Sequence, residues 1–471
     1  MDLSLQHRPI APAPAATTAA FVAVAALASW QASRGWNQSL LTAVAAGLLI
    51  VLAITRPRLA IFAALAYLAV LGDLRRLVMW SAGQVRSDPL LLVGPAVAAV
   101  LAATALMGRR LCIRTPVSRL VMALMVLMAV QVLNPLQGGI FVGVAGAIFH
   151  LVPLLWFWIG QAWGSDEMTE SLLHRLVVPI ATAASLLGIW QVFNGFLPYE
   201  QHWIDQAGYA ALNIQGRIRP FSFFTSAAEF AHYAAIASLV LGAAILRRAP
   251  RLAVVLLPLL AAAVFLQGSR SVVVMAALAA AVMWAVNGRD RRAWLGRMGL
   301  AVAVAAGGLV FVLAQAQDSS LPVDVQPLVD HQVRGLMNPL DHQQSTAQVH
   351  WQLMVDGFRR GIANPLGYGL GATTLAASKQ GSGGSSEVDV SNTFISLGPV
   401  GGVLYLLVIY RVLRAAAGRC RGSRCAVTLA LLGILVMEMG QWLNGGQYAT
   451  AALVWFCIGS VDRNSLEEAR P

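Results

Sequence analysis

The sequence predicts an all-α polytopic membrane protein of about 12–14 transmembrane helices, with one large helical loop on the outer side. Three observations predict it. Of 471 residues, 58% are hydrophobic and only 11% charged, against about 25% charged in a soluble domain. Apolar runs approaching the ~20 residues that cross a bilayer recur along the chain. One long polar stretch, Asp318 to Ser391, interrupts them.

Spans are expected at 17–33, 38–55, 58–72, 89–107, 118–134, 140–161, 174–196, 227–246, 252–267, 270–287, 298–316, 392–410, 425–442 and 446–461. The first lacks a small-residue cleavage site and reads as a retained anchor. With the N-terminus inside, 22 of the 33 Lys and Arg residues fall on cytoplasmic pieces and 11 outside, the bias that orients membrane proteins. The resulting organisation is a cytoplasmic 1–16, helices over 17–196, an outer loop 197–226, helices over 227–316, the large outer loop 317–391, helices over 392–461 and a cytoplasmic 462–471. Both termini lie inside. The net charge of +12 thus speaks to orientation. No soluble stretch interleaves aromatic and basic residues at the length of a nucleic-acid domain, so nucleic acid is not an expected partner. Cys112, Cys420, Cys425 and Cys457 form neither a metal-ligand nor a disulfide pattern.

Topology does not explain the outer cations: Arg34, Arg75, Arg76, Arg86, Arg217, Arg219, Arg270, Arg334, Arg359, Arg360 and Lys379. Arg270 sits in the turn Gly268-Ser269-Arg270-Ser271 between two apolar spans, where a cation is costly unless paired or facing a wet cavity. Arg217 and Arg219 alternate with apolar residues and point the same way in an extended segment. Glu229 and His232 share one helix face and read as a hydrogen-bonded pair. A helix is expected over 345–360, with Val349, Leu353 and Phe358 as its buried stripe and Trp351 and Met354 flanking. Arg359 and Arg360 follow Asp356 at helix spacing and read as surface ion pairs near a helix C-terminus. His150 and His174 read as structural, and the Gly/Ser run 381–386 as a lid or a linker.

Arginine forks match phosphate oxygens and keep their charge. Clustered at a membrane–water boundary, they suit a lipid diphosphate with its tail in the bilayer. If that diphosphate leaves, the arginines neutralise charge growing in the transition state, and a nearby His or carboxylate deprotonates the attacking sugar hydroxyl.

The order of motifs carries a resemblance. Arg219-Pro220-Phe221-Ser222-Phe223 is followed by the Ser269-Arg270 turn, then by a large penultimate loop with a Trp-bearing helix and Asn364-Pro365-Leu366-Gly367-Tyr368-Gly369. That loop closes on Ser391-Asn392-Thr393-Phe394-Ile395 with Gly398, Gly401 and Gly402. From Gly195 to Tyr410 the chain resembles the O-antigen ligase/O-antigen polymerase superfamily of bacterial inner-membrane glycan transferases. The resemblance implies a metal-independent enzyme without cofactor, acting on the periplasmic side of the inner membrane with inversion at the anomeric carbon. Its donor would be an undecaprenyl diphosphate-linked glycan, and its acceptor another lipid-linked glycan or lipid A-core. Carried over by residue, it implies diphosphate contacts from Arg217 or Arg219 and from Arg270. Arg334 of the large outer loop is a further candidate contact, and Asn392 of the closing motif a candidate catalytic position. His350 or Asp389 are candidate substitutes for a base the family pattern leaves unassigned here. Ligases carry a His before the Asn of the closing motif, and Ser391 stands there. The expectation is therefore polymerisation of exopolysaccharide or O-antigen repeat units, with ligation second and polysaccharide assembly proteins as possible partners. A transporter of lipid-linked glycans is the rival class, and would place charges deep in many spans; a non-catalytic assembly scaffold is the third.

Overall fold

The structure is a computed structural model and describes residues 38–82, 88–207, 213–214, 216–248, 251–287, 326–338, 341, 347–379 and 384–468. The spans expected at 17–33 and 298–316 lie outside the described residues. The other expected spans each coincide with a helix, and the chain is an all-α, multi-pass membrane protein.

In chain order the helices are α1 (Gln38–Thr55), α2 (Pro57–Ala82), α3 (Val93–Met107, entered by a short 3₁₀ turn), α4 (Pro116–Gln131), α5 (Ile140–Trp163) and α6 (Asp166–Asn194). The short α7 (Pro198–Ala207) and a two-stranded hairpin, β1 (Asn213–Ile214) and β2 (Arg217–Ile218), precede α8 (Ala227–Arg248), α9 (Arg251–Leu266) and α10 (Arg270–Asn287). Then come α11 (Gln326–Met337), α12 (Ala347–Ala363), α13 (Leu375–Lys379), α14 (Asp389–Gly422), α15 (Ala426–Met437) and α16 (Tyr448–Glu468). Among the described residues, eight helices are long and apolar enough to cross a bilayer, and α4, α9 and α15 are shorter apolar helices.

Local chemistry sets several ends. Thr115 caps α4 by accepting from the Ser118 amide at 2.9 Å, with Pro116 at the first helical position. Ser165 caps α6, and Asp166 and Glu167 complement its dipole. The span expected at 174–196 therefore begins earlier, at Asp166. The span expected at 58–72 runs on to Ala82, because the charges at Asp73 and Arg76 that end its apolar run are hydrogen-bonded within the fold. Conversely, α15 stops at Met437, and residues 438–447 form turns. Pro153 and Pro179 cannot donate to a helix ladder, and each follows a π-helical turn, Ala147–Leu151 and Leu173–Val177. At Gly398 (φ 70°) and Pro399, α14 kinks.

Burial separates inner from peripheral helices: 78% of the α8 span is buried, against 17% for α1. The core is built by α8, α15 and α16, with α16 running against α5. At that crossing backbone meets backbone. A Cβ on Gly160 would overlap the Phe456 carbonyl, and one on Gly459 the Phe157 carbonyl. Small residues substitute for hydrophobic drive where lipid is as apolar as leucine.

Gly160→Leu or Gly459→Leu is expected to destabilise the bundle by at least about 1–3 kcal/mol, read as a lower thermal midpoint in lipid. Gly418→Leu, with open space around it, is expected to leave the midpoint in place.

Candidate functional site

Two groups of polar residues form at the end of the bundle that carries α11 and α12. The first surrounds the α9–α10 turn. Gly268 takes φ 87°, and Gln267 organises the turn. Its amide donates to Ala227 O at 2.8 Å and its oxygen accepts from the Ser269 amide at 3.0 Å. The Gly216 turn (φ 85°) of the hairpin leads into Arg219. Arg219 Nε donates to Gln267 O at 3.1 Å, and its Nη2 reaches Gln267 Oε1 at 3.3 Å and Ser269 Oγ. Helix α11 docks through Leu328, Val329 and Val333 onto Val192 and Ile214. That docking sets His331 beside Arg270, whose Nη2 is 2.9 Å from each ring nitrogen. Burial first, then the charges of Arg270 and Arg219, push the His331 pKa down to about 4. A neutral ring accepts from the guanidinium where a charged one would repel it.

Two of the four expected phosphate-binding arginines, Arg219 and Arg270, are thus brought together. Arg217 lies half-buried on the hairpin two residues earlier. Arg334 is one turn beyond His331 but 60% exposed, paired with Asp330 at 3.3 Å.

Arg76 anchors the loop that presents Arg219. It is 2% exposed. Its Nη1 donates to Asp73 Oδ1 at 2.8 Å and to Ser222 O at 2.9 Å, and Nη2 donates to Phe224 O. The guanidinium lies 4.1 Å from the Phe221 ring centroid. Gln191 Oε1 accepts from the Phe221 and Ser222 amides at 3.2 and 2.9 Å, and its amide donates to Glu200 at 2.7 Å. Burial raises the Glu200 pKa. The neighbouring Arg75 pairs with Asp88. These two cations, counted with the unexplained outer arginines, have structural work.

The second group is built where α12 lies on the start of α14. The apolar stripe expected at Val349, Leu353 and Phe358 is not the buried one: Val349 is 51% exposed and Leu353 36%. The buried residues are Gly357 and Gly361. A Cβ on Gly357 would sit 3.0 Å from the Ser386 and Ser391 Cβ atoms, so the helices approach too closely for larger side chains. Phe358 stacks edge-on against Phe394, centroids 5.1 Å apart. His350 shares the glycine face. Its Nδ1 is 2.7 Å from Glu387 Oε2, and both side chains are about half exposed. Glu387 takes φ 65°, a strained conformation of a kind that gathers at functional sites. Asn392 Oδ1 accepts from the Ser386 amide and hydroxyl, each at 2.8 Å, and its amide donates to Ser385 Oγ at 3.0 Å. Alongside runs an open groove of about 330 Å³, with Leu353, Gly357, Arg359, Arg360, Ser385 and Ser386 among its lining.

Asp389 faces the other way. It is 5% exposed and accepts from the Leu443 amide at 2.5 Å and from Tyr405 Oη at 3.4 Å. His150, in the π turn of α5, approaches Leu443 O at 3.0 Å through Nδ1. A cavity of about 10 Å³ lies between His150, Asp389 and Asn392, close to the size of a single water. Asp389 therefore ties the start of α14 to the α15–α16 turn, and His150 meets the same residue of that turn, Leu443, across the cavity. The expected Glu229–His232 pair does not form. His232 Nδ1 is 3.0 Å from each Glu438 oxygen. Glu229 accepts from the Ala449 amide at 2.6 Å and the Thr225 amide at 3.2 Å. Among the described residues, no three His, Cys, Asp or Glu side chains converge as metal ligands.

Sequence reasoning passed over three residues of these groups. His331 was no more than one of several loop histidines. Glu387 had no motif around it, and Arg360 read as an ordinary surface charge. The amphipathic pattern of 326–337, which places a histidine next to a face apolar enough to dock, is the signal that could have found His331.

Folding lowers the His331 pKa, so the unfolded chain binds this proton more tightly. Its stability contribution is complete above its ordinary value of 6.5 and is lost as pH falls toward about 4. His331→Gln is expected to flatten that part of the curve, read as the difference between the two proteins' thermal midpoints across this window. Arg76→Met strips the donors from Ser222 O and Phe224 O and leaves Asp73 unpaired by it. The expected cost is ~3–5 kcal/mol, with faster proteolysis within 217–225. No family model and no curated protein matches the sequence.

Proposed function

We propose that this chain is a metal-independent glycosyltransferase of the O-antigen ligase/polymerase type, working on the periplasmic face of a bacterial inner membrane with both termini in the cytoplasm. It moves a glycan from undecaprenyl diphosphate to a sugar hydroxyl, most simply polymerising repeat units. The observation that carries this reading is the meeting of Arg219, from the loop before α8, and Arg270, at the start of α10, around the α9–α10 turn, on the same end of the bundle as a His–Glu pair. The arginine bias across the spans supports the orientation.

A carboxylate only accepts, so the Glu387 contact puts the His350 proton on Nδ1 and leaves Nε2 as the basic nitrogen. In the proposed reaction Nε2 takes the proton of the acceptor hydroxyl while its oxygen attacks the anomeric carbon. The bond from that carbon to the diphosphate oxygen breaks, and undecaprenyl diphosphate leaves with the electron pair. Arg219 and Arg270, with Arg217 beside them, neutralise its growing charge. Asn392 and Asp389 act as positioning residues, one holding Ser385 and Ser386 and the other Leu443. Ser391 is buried and bonded to Ser386 Oγ at 2.6 Å, so no base stands where ligases carry one. That favours polymerisation.

The test uses purified protein in lipid with an undecaprenyl diphosphate-linked repeat unit and no lipid A-core. The expected product is a ladder of glycan lengths. Arg270→Ala is expected to abolish it, and His350→Ala to lower turnover by roughly 10²–10⁴-fold. Transfer only after lipid A-core is added would make the protein a ligase. No transfer in either case, from folded protein and the genuine repeat unit, would sink the enzyme reading in favour of transport or scaffolding.

A further inference from the structure

Four of the outer cations form two pairs on different elements. Arg219 and Arg270 belong to the hairpin and the α9–α10 turn, and their contacts are made there. Arg359 and Arg360 belong to α12 and line the open groove instead. One lipid diphosphate needs one such set. A second set, on a separate element, can serve a second anion.

The groove has the makings of a sugar site. Its volume of about 330 Å³ falls at the lower end of ligand-binding pockets. The exposed Ser385 supplies a hydroxyl that matches sugar hydroxyls, and Leu353, Ile395 and the bare Gly357 backbone supply an apolar wall for a ring face. Asp356 is the one carboxylate among the described lining residues, beside Arg359. Arg359 holds only a long, exposed contact to Asp356 at 3.3 Å, with 77% of its side chain accessible. Such a pair is worth little in water and exchanges readily for a better acceptor. A guanidinium fork fits a planar carboxylate or a phosphate bidentately. The groove also has a direction. Its Ser386 precedes Glu387, and Glu387 holds His350. A sugar seated there lies next to the proposed base, on the acceptor side of the reaction.

We infer that this groove is the acceptor subsite and that it recognises an acidic sugar, through a carboxylate or phosphate held by Arg359 and Arg360. The inference rests on the proposed transferase function and extends it. In a polymerase the acceptor is made of the donor's own repeat units, so the polymer itself is acidic.

The test is a binding titration on the full-length protein in lipid nanodiscs, which requires no turnover. The probes are an oligogalacturonate, the neutral oligogalactoside of equal length, and a phosphorylated oligosaccharide. The expected result is at least about tenfold tighter binding of an acidic probe, weakened by high salt. The carboxylate and phosphate probes identify which acid is read. Arg359→Ala with Arg360→Ala is expected to erase the preference. The double Lys variant is expected to keep only part of it, because charge remains but the fork is lost. Both arginines project from an exposed helix edge, and Arg58→Ala, an exposed cation on α2, controls for net charge. Equal binding of acidic and neutral probes, or an unchanged preference in the double Ala variant, would overturn the assignment. So would displacement of the oligogalacturonate by geranyl diphosphate, which would give the groove to the donor. The two readings fail separately. Acid-selective binding without any glycan ladder overturns the transferase alone. A ladder from neutral repeat units without acid-selective binding overturns the acidic subsite alone.

Discussion

Backbone that leaves helical geometry inside or against a bilayer has to find its hydrogen bonds within the protein. In this chain a set of buried amides and a few buried charges supply them. Arg76 donates to Ser222 O and Phe224 O. Gln131 donates to Leu366 O at 2.6 Å, Asn134 to Gly367 O at 3.1 Å, and Gln137 accepts from the Gly371 amide at 2.9 Å. Gln332 donates to Phe265 O at 3.0 Å, and Glu229 receives the Ala449 amide. Each bond joins segments distant in sequence and satisfies a backbone group in a loop or in the first or last turn of a helix. Losing one partner leaves a backbone group unpaired where water does not replace it, which is why such bonds are costly to break.

This constraint determines how the candidate site is held. Arg219 reaches the α9–α10 turn because Arg76 and Gln191 hold the loop just behind it, and Gln267 shapes the turn it meets. His331 arrives by hydrophobic docking of α11, and its neutral ring is compatible with two nearby guanidiniums. The second group depends on close packing rather than on staples. Glycines at 357 and 361 let α12 lie against the start of α14. His350 then faces Glu387, and an open groove remains along the helix edge. The cations of the candidate site are thereby kept apart from those that hold the fold.

The same division bears on the rival class. A transporter would be expected to carry charged residues along a path at mid-membrane. Here the buried polar residues of the spans mostly contact backbone near helix ends. Side chains also join the helices directly: Gln161 meets Asp462 at 2.7 Å, Thr169 meets Ser460 at 2.9 Å, Arg419 pairs with Asp166 at 2.8 Å, and His232 of α8 meets Glu438 just past the end of α15. The proposed transferase, with its candidate site at one end of the bundle, requires no such path.

Composition and apolar run length were enough to establish an all-helical, multi-pass membrane protein, because lipid tolerates few other ways of satisfying a backbone. Motif spacing also singled out Arg219 and Arg270, since a cation beside an apolar span demands a reason. Tertiary structure decided what that reason was for each arginine. Arg76 and Arg270 look alike in sequence, yet one is walled in by carbonyls and aromatic rings and the other meets a histidine. It also decided that Glu229 and His232, adjacent on one helix face, bond elsewhere. Helical periodicity misplaced the buried face of α12, because it seeks large apolar residues and the contact is made by glycines. A charge's partners lie on other elements, often far along the chain, and one strand of sequence does not contain them.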